Sequence, residues 1–253
     1  MKSKIIAPEK NYDFTELREA CKKLRNVEEA RTKMENLAKP RKGRPAVMDP
    51  SQLAVLLAPY KTLEGDIVAG LEAGYYREVP RFIQEWVDEV PGLGVKTVAR
   101  LLGELGHPRH ATPARLVNGD LLLGPEFHRT LRQWWSYSGN GDITKQPGRN
   151  FVGEMSQEAM LAGGRAEGRK KTHVIAQSCI KLEGKVQKNN VVRTRSPYRD
   201  VYDEAKAQAI ERGWDEQTRR VPYPANRADM HAFRMVRKAI LRDLFDVAKG
   251  TCC

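Results

Sequence analysis

Two glycines, a lysine and an arginine stand close together in Val90-Pro91-Gly92-Leu93-Gly94-Val95-Lys96-Thr97-Val98-Ala99-Arg100, and together they could hold an anion. A Pro-Gly-x-Gly turn lets the backbone reverse sharply, with positive φ expected at both glycines, and lets it approach another molecule closely. The residues after the turn have helical spacing, with Val95, Val98, Ala99, Leu101 and Leu102 marking one buried face. The amides of Leu93 to Thr97 then lie at a helix N-terminus, where unsatisfied N–H groups and the helix dipole attract negative charge. Lys96 and Arg100 stand nearby. The chemistry this suggests is a grip on phosphate that reads no base. The plain alternative is an ordinary helix–helix turn, because Gly-x-Gly alone is weakly specific.

The segment Pro80–Val87 supplies a helix before the turn, with Phe82, Ile83, Trp86 and Val90 at helical spacing. Helix, turn and basic second helix make the pattern of a helix-hairpin-helix. Two other segments are basic. From Arg165 to Arg199 ten Lys or Arg face only Glu167 and Glu183, and Arg169-Lys170-Lys171 is the densest part. A run this one-signed predicts a nucleic-acid track, with a solvated face as the bland alternative. The segment Pro40-Arg41-Lys42-Gly43-Arg44-Pro45 resembles an AT-hook, in which Arg41, Lys42 and Arg44 would enter a minor groove. A basic linker is the preferred reading there.

Other reactive side chains are sparse. His107 and His110 are too few for a metal site and read as surface or phosphate-contacting residues. Ser136 and Ser138 are the candidate nucleophilic hydroxyls, but no neighbouring residue is an obvious activating base. Cys21, Cys179, Cys252 and Cys253 lack zinc-ligand spacing and suggest no disulfide framework, which points to a reducing, cytoplasmic setting. No metal site and no cofactor is read from the chain.

The elements that must position these residues are helical. Asp13 is a candidate N-cap for a helix carrying Leu17, Ala20, Leu24, Val27, Ala30, Met34 and Leu37 on one face. Asp49-Pro50 starts a second, with Leu53, Leu56, Tyr60, Leu63, Ile67 and Leu71, locally weakened by Gly65, Gly70 and Gly74. These two make an antiparallel hairpin, a coiled-coil-like stalk over residues 1–78. The remaining residues, 79–253, form the second domain. There Thr112-Pro113 begins a helix with Leu116 and Val117, and Phe127, Leu131, Trp134 and Trp135 share a helical face. Residues 140–168 read mostly as loop, with a weak helical signal near 155–161. Arg169 opens a helix to about Leu182, and Ser196-Pro197 opens another, carrying Tyr198, Tyr202, Ala205, Ala209 and Ile210, that ends at Gly213. Asn226 is a candidate cap for the last helix. Its apolar stripe is Met230, Phe233, Val236, Ile240, Leu244 and Val247, with Arg234, Arg237, Lys238 and Arg242 opposite. No strand is expected, so the fold class is all-α.

The chain has 253 residues, 44 Lys or Arg against 32 Asp or Glu, and a formal net charge of +12. That balance favours a polyanionic partner. No apolar run approaches the roughly 18 residues that span a bilayer, and no secretory leader is seen, so no membrane association is expected. The two near-heptad stripes present more apolar surface than one hairpin must cover, which predicts a homo-oligomer.

The order of motifs is Pro-Gly-Leu-Gly-x5-Leu-Leu-x-x-Leu-Gly, then Thr-Pro-x-x-Leu, Trp-Ser-Tyr-Ser-Gly and Ser-Pro-Tyr-x-x-x-Tyr-Asp-Glu-Ala-Lys, and finally an arginine-rich helix. This order resembles the C-terminal, transposase half of bridge-RNA-guided insertion-sequence transposases, the family that includes pilin-gene DNA invertases. The resemblance spans roughly residues 15–248 and is most specific at Pro91–Gly94 and Tyr198–Lys206. It implies a protein lacking the ribonuclease-H-like front domain and its four metal-binding acidic residues. The family's nucleophilic serine would align with Gln146-Pro147-Gly148, and Pro147 has no hydroxyl. The expected function is therefore a DNA-binding protein of transposase or recombinase type, from a mobile element or phage. Its partner is DNA, with structured RNA as the alternative. A catalytically active serine recombinase and a helix-hairpin-helix repair accessory factor are the competing readings.

Overall fold

A computed structural model describes residues 14–38, 49–111, 114–117, 120–123, 127–141, 166–182, 195–211 and 225–249, and apolar residues at three- and four-residue steps build eight helices among them. The fold is helical, as expected. Helices α1 (Thr15–Ala38) and α2 (Pro50–Glu78) form the expected hairpin. The end opposite the α1–α2 connection is fixed by Glu78, whose carboxylate oxygens accept the N–H groups of Glu16 at 2.9 Å and Leu17 at 3.0 Å. A carboxylate at a helix N-terminus satisfies orphan amides and complements the dipole. Arg77 pairs with Glu16 beside it at 2.5 Å, and Arg31 bridges to Glu64 at 2.6 Å farther along. The cap therefore comes from α2; Asp13 lies outside the described residues.

Helix α3 (Arg81–Glu89) and α4 (Val95–Leu105) follow. Helix α4 lies against α1 so tightly that a Cβ added to Gly103 would stand 2.6 Å from Cys21 Sγ and 2.7 Å from the Leu17 carbonyl oxygen. Helix α5 (Leu131–Tyr137) starts at Thr130, which forms a capping box with Gln133. Helices α6 (Ala166–Ile180), α7 (Pro197–Glu211) and α8 (Ala225–Val247) complete the core, with α6 packed on α4 and α8, and α7 packed on α8. One buried cluster runs from Leu17, Leu71 and Tyr75 through Leu101, Leu102 and Trp134 to Ile175, Ile240 and Leu241. Each such large apolar side chain contributes about 1.5–3 kcal/mol by leaving water.

Four expectations are corrected. Leu116 and Val117 do not lie on a helix: Ala114–Val117 is strand β2, paired antiparallel with β3 (Asp120–Leu123), and β1 (His110–Ala111) pairs with β4 (Phe127–His128) around them, while Thr112 and Pro113 lie outside the described residues. Phe127 therefore belongs to a strand, and the helix begins at Leu131. A β-ladder here satisfies backbone groups over stretches too short for a helix. The stripe of α8 is also rotated from the expected one. Ala228, Ala232, Val236, Ala239, Ile240, Leu241 and Leu244 are buried while Met230 is exposed, because the alanines let neighbouring helices approach. Arg237 is carried inward with them. The candidate cap Asn226 lies inside the first turn of α8, and the region 155–161 lies outside the described residues. No helix described is long and apolar enough to cross a membrane.

Candidate nucleic-acid interface

The α3–α4 turn uses its two glycines differently. Gly92 has φ +96°, and a Cβ there would sit 2.6 Å from Cys179 Cα. Its close approach is thus to the end of α6 in its own chain. Gly94 is the N-cap of α4 in extended backbone, φ −136° and ψ 138°, so positive φ is a property of Gly92 alone. A Cβ on Gly94 would meet nothing nearer than Thr97 Oγ1 at 3.6 Å. The Gly94 carbonyl accepts the N–H groups of Thr97 and Val98, both at 3.0 Å, and the Thr97 hydroxyl at 2.8 Å. The amides of Val95 and Lys96 have no acceptor among the described residues. Leu93 and Val95 pack on the edge of the core, and Lys96 is exposed. Arg100 pairs with Glu28 of α1 at 2.7 Å.

The run Arg169-Lys170-Lys171 lies in the first turns of α6, and the 100° step of a helix sends its members three ways. Lys170 points to solvent and pairs with Glu167 at 2.6 Å. Lys171 is half-buried in the seam between α1, α4 and α6; burial, then Arg100, lowers its pKa, while Glu28, Glu167 and Glu104 oppose the shift. Arg25 joins the same seam by donating to Glu104. Of the three, Arg169 alone is exposed with no carboxylate partner among the described residues, and it lies on the α8 side. Farther along, Arg195 pairs with Asp200 and Asp203, and Arg199 with Asp203. Among the described residues of the expected track, Lys170, Arg195 and Arg199 are thus ion-paired, while Arg165, Lys185, Lys188 and Arg193 lie outside the described residues.

Ser138 is fully buried, and its hydroxyl donates to the Trp135 carbonyl at 2.9 Å. Ser136 is half-buried, and the Gly141 backbone lies against its hydroxyl side. His107 is not a surface residue. It is 6% exposed, its Nδ1 accepts the N–H groups of Arg109 and His110 at 3.2 Å each, and burial pushes its pKa down to about 3. His110 lies between His107 and His128 in tilted and edge-on contact, with ring centroids 4.8 Å and 4.6 Å apart. Cys21 and Cys179 are buried free thiols raised by burial to about 12 and about 11. Arg41, Lys42 and Arg44 lie outside the described residues. No group of three or more His, Cys, Asp or Glu is placed to hold a metal among the described residues.

The motif Tyr198–Lys206 proves to be a docking surface between α7 and α8. Tyr198 donates to Asp243 at 2.9 Å, Tyr202 donates to Asp229 at 2.7 Å, and Lys206 pairs with Asp229 at 2.7 Å. What sequence reasoning missed is a cationic meeting of α6 and α8 around the buried Arg237; the arginine spacing on α8 was visible, its direction was not. Comparison with known proteins yields no matching family model, no matching curated protein and no matching solved structure.

Proposed function

We propose that this chain binds DNA through its phosphate backbone, as a DNA-binding protein of transposase or recombinase type. Gly94 carries the reading: it is an uncapped helix N-terminus with no side chain, opening beside two unsatisfied amides on a chain of net charge +12. A backbone phosphate placed there would accept from Val95 and Lys96 and draw on the dipole of α4. The exposed Lys96 would add charge. Helices α3 and α4 with their turn would then act as a helix-hairpin-helix, with Gly92 fixing the turn against α6 and Gly94 facing the ligand. The order of sequence motifs supports the transposase type. Two copies would join through α2, where Leu56 and Leu63 lie seven residues apart on one exposed stripe.

The test is fluorescence anisotropy with a labelled duplex. Gly94→Val adds three carbons where the phosphate would sit, in backbone that valine adopts readily. Affinity should fall roughly tenfold with helix content unchanged, as expected for losing charge-assisted hydrogen bonds. Binding equal to that of the unaltered chain would remove the turn from the interface.

A further inference from the structure

Helices α6 and α8 meet through four basic side chains. Arg169 and His173 stand about one turn apart on α6, and Arg234 and Arg237 about one turn apart on α8. Arg237 is only 9% exposed, and its Nε is buried with no hydrogen-bond partner. The charges acting on it are Arg169 and Arg234, both of its own sign. No carboxylate pairs with Arg237 among the described residues. Burial, then those two arginines, draws its pKa down to about 10, so it stays protonated at neutral pH. Burial and then Arg237 likewise lower the pKa of His173.

The seam on the opposite side of α6 is the contrast. There Arg25, Arg100 and Lys171 stand among Glu28, Glu104 and Glu167, and the buried charges are matched. Burying a cation without a partner is strongly unfavourable, and arginine escapes by neither deprotonation nor bending its fork. A protein that holds one so, with two more arginines beside it, has a cationic cluster short of its anion.

The rim of the cluster is held firmly. Arg234 donates to the Gly141 carbonyl at 2.6 Å. Asn140 next to it is buried, and its Nδ2 donates to the Ser138 carbonyl at 3.1 Å and to Thr172 Oγ1 at 3.3 Å. Thr172 in turn donates to the Gly168 carbonyl at 2.9 Å, one residue before His173. The loop after α5 is thereby tied to α6 at the level of the basic side chains.

We propose that Arg169, His173, Arg234 and Arg237 form an oxyanion site that takes a phosphoryl group. Guanidinium forks match phosphate oxygens in pairs, and three fixed positive charges suit a dianion. The imidazole of His173 adds an N–H donor. Where the phosphate belongs to DNA, the inference rests on the reading given above; a free phosphate needs no such premise.

Inorganic phosphate tests the site by calorimetric titration of the full chain, and a labelled DNA duplex tests its source. Arg237→Met should weaken phosphate binding roughly tenfold to a hundredfold. In chloride buffer the same variant should melt no lower than the unaltered chain, because an uncompensated buried charge has been removed. Arg169→Gln, at an exposed position, should keep the fold and weaken phosphate by about tenfold, so it decides the matter should the methionine variant misfold. Phosphate binding that weakens in these variants supports the site even if no duplex binds, an outcome that would sink the DNA reading alone. Weakened phosphate binding with unaltered duplex binding supports a site for free phosphate and removes DNA as its source. An unaltered chain that takes up no phosphate, or an Arg169→Gln variant that takes it up equally well, overturns the site.

Discussion

Replacing Gly92 with alanine should unfold the α3–α4 turn from α6, whereas the same change at Gly94 should pass almost unnoticed. At Gly92 two penalties add. A residue with a Cβ at φ +96° is strained by about 1–2 kcal/mol. The new Cβ would also lie 2.6 Å from Cys179 Cα and 3.1 Å from Cys179 N. These are backbone atoms that cannot swing aside, and overpacking of this kind costs about 1–3 kcal/mol. The sum, roughly 2–5 kcal/mol, is a large share of the 5–15 kcal/mol expected of a domain. For a chain of this size it lowers the melting temperature by roughly 4 to 20 °C. At Gly94 the extended backbone suits alanine, and the nearest neighbour is 3.6 Å away. The poorer N-cap and the gain in chain stiffness nearly offset, so the shift should stay within about 2 °C. Thermal unfolding followed by circular dichroism at 222 nm reads both. A Gly92→Ala protein melting with the unaltered chain, or a Gly94→Ala protein falling as far, would refute the assignment of the two glycines.

Three further outcomes are expected. Changing Arg169, Lys170 and Lys171 together to alanine should lower the salt slope of duplex binding by about one phosphate contact, since Lys170 is paired with Glu167 and Lys171 is half-buried near carboxylates; a fall of about three would show all of them on the DNA. Leu56→Asp or Leu63→Asp should convert a homodimer to monomer by light scattering without loss of helix, because both side chains are exposed in the single chain; a parent already monomeric at tens of micromolar, roughly the range for a modest interface, defeats the association. The folded chain keeps His107 neutral down to about pH 3, while the unfolded chain takes up the proton below about 6.5, so stability should fall as pH drops from 6.5, by about 2 kcal/mol at pH 5. In His107→Asn, whose side-chain oxygen can replace the Nδ1 acceptor, denaturant unfolding at pH 7 and pH 5 should differ by about 2 kcal/mol less than in the parent; an equal difference would assign the pH response elsewhere.

The helical hairpin was legible because Leu17, Leu24, Leu57 and Leu71 recur at steps that only a helix puts on one face, and they are buried. The turn after α3 was legible from Pro91 and Gly92 for the same local reason. The strands were missed although a signal was present. Asn118-Gly119 joins Val117 to Asp120, and that dipeptide between apolar runs favours a two-residue hairpin; a helical reading of Leu116 and Val117 passed over it. The anion site was less accessible. Arg234 and Arg237 looked solvent-facing because the stripe was drawn through the large residues Met230 and Phe233, whereas Ala228, Ala232 and Ala239 decide which side of α8 can approach its neighbours. Ion pairing was also hidden. Arg100 and Lys171 looked free because Glu28 and Glu104 are distant in sequence and meet them only when α1, α4 and α6 assemble.

Helix α2 is 29 residues long, roughly 44 Å at 1.5 Å per residue, yet Leu71, Gly74 and Tyr75 near one end and Leu57 are its buried positions. Near its other end Val55 is 72% exposed, and Pro59 breaks the hydrogen-bond ladder between them. The helix is thus a cantilever, clamped firmly over its last three turns and held more lightly beyond them, at buried Leu57 and the Glu64–Arg31 pair. Its amides should exchange with solvent deuterium in a gradient, slowest around Leu71–Tyr75 and fastest before Pro59. A second copy seated on Leu56 and Leu63 would clamp the free end, turning the cantilever into a beam held at both ends, and would flatten that gradient.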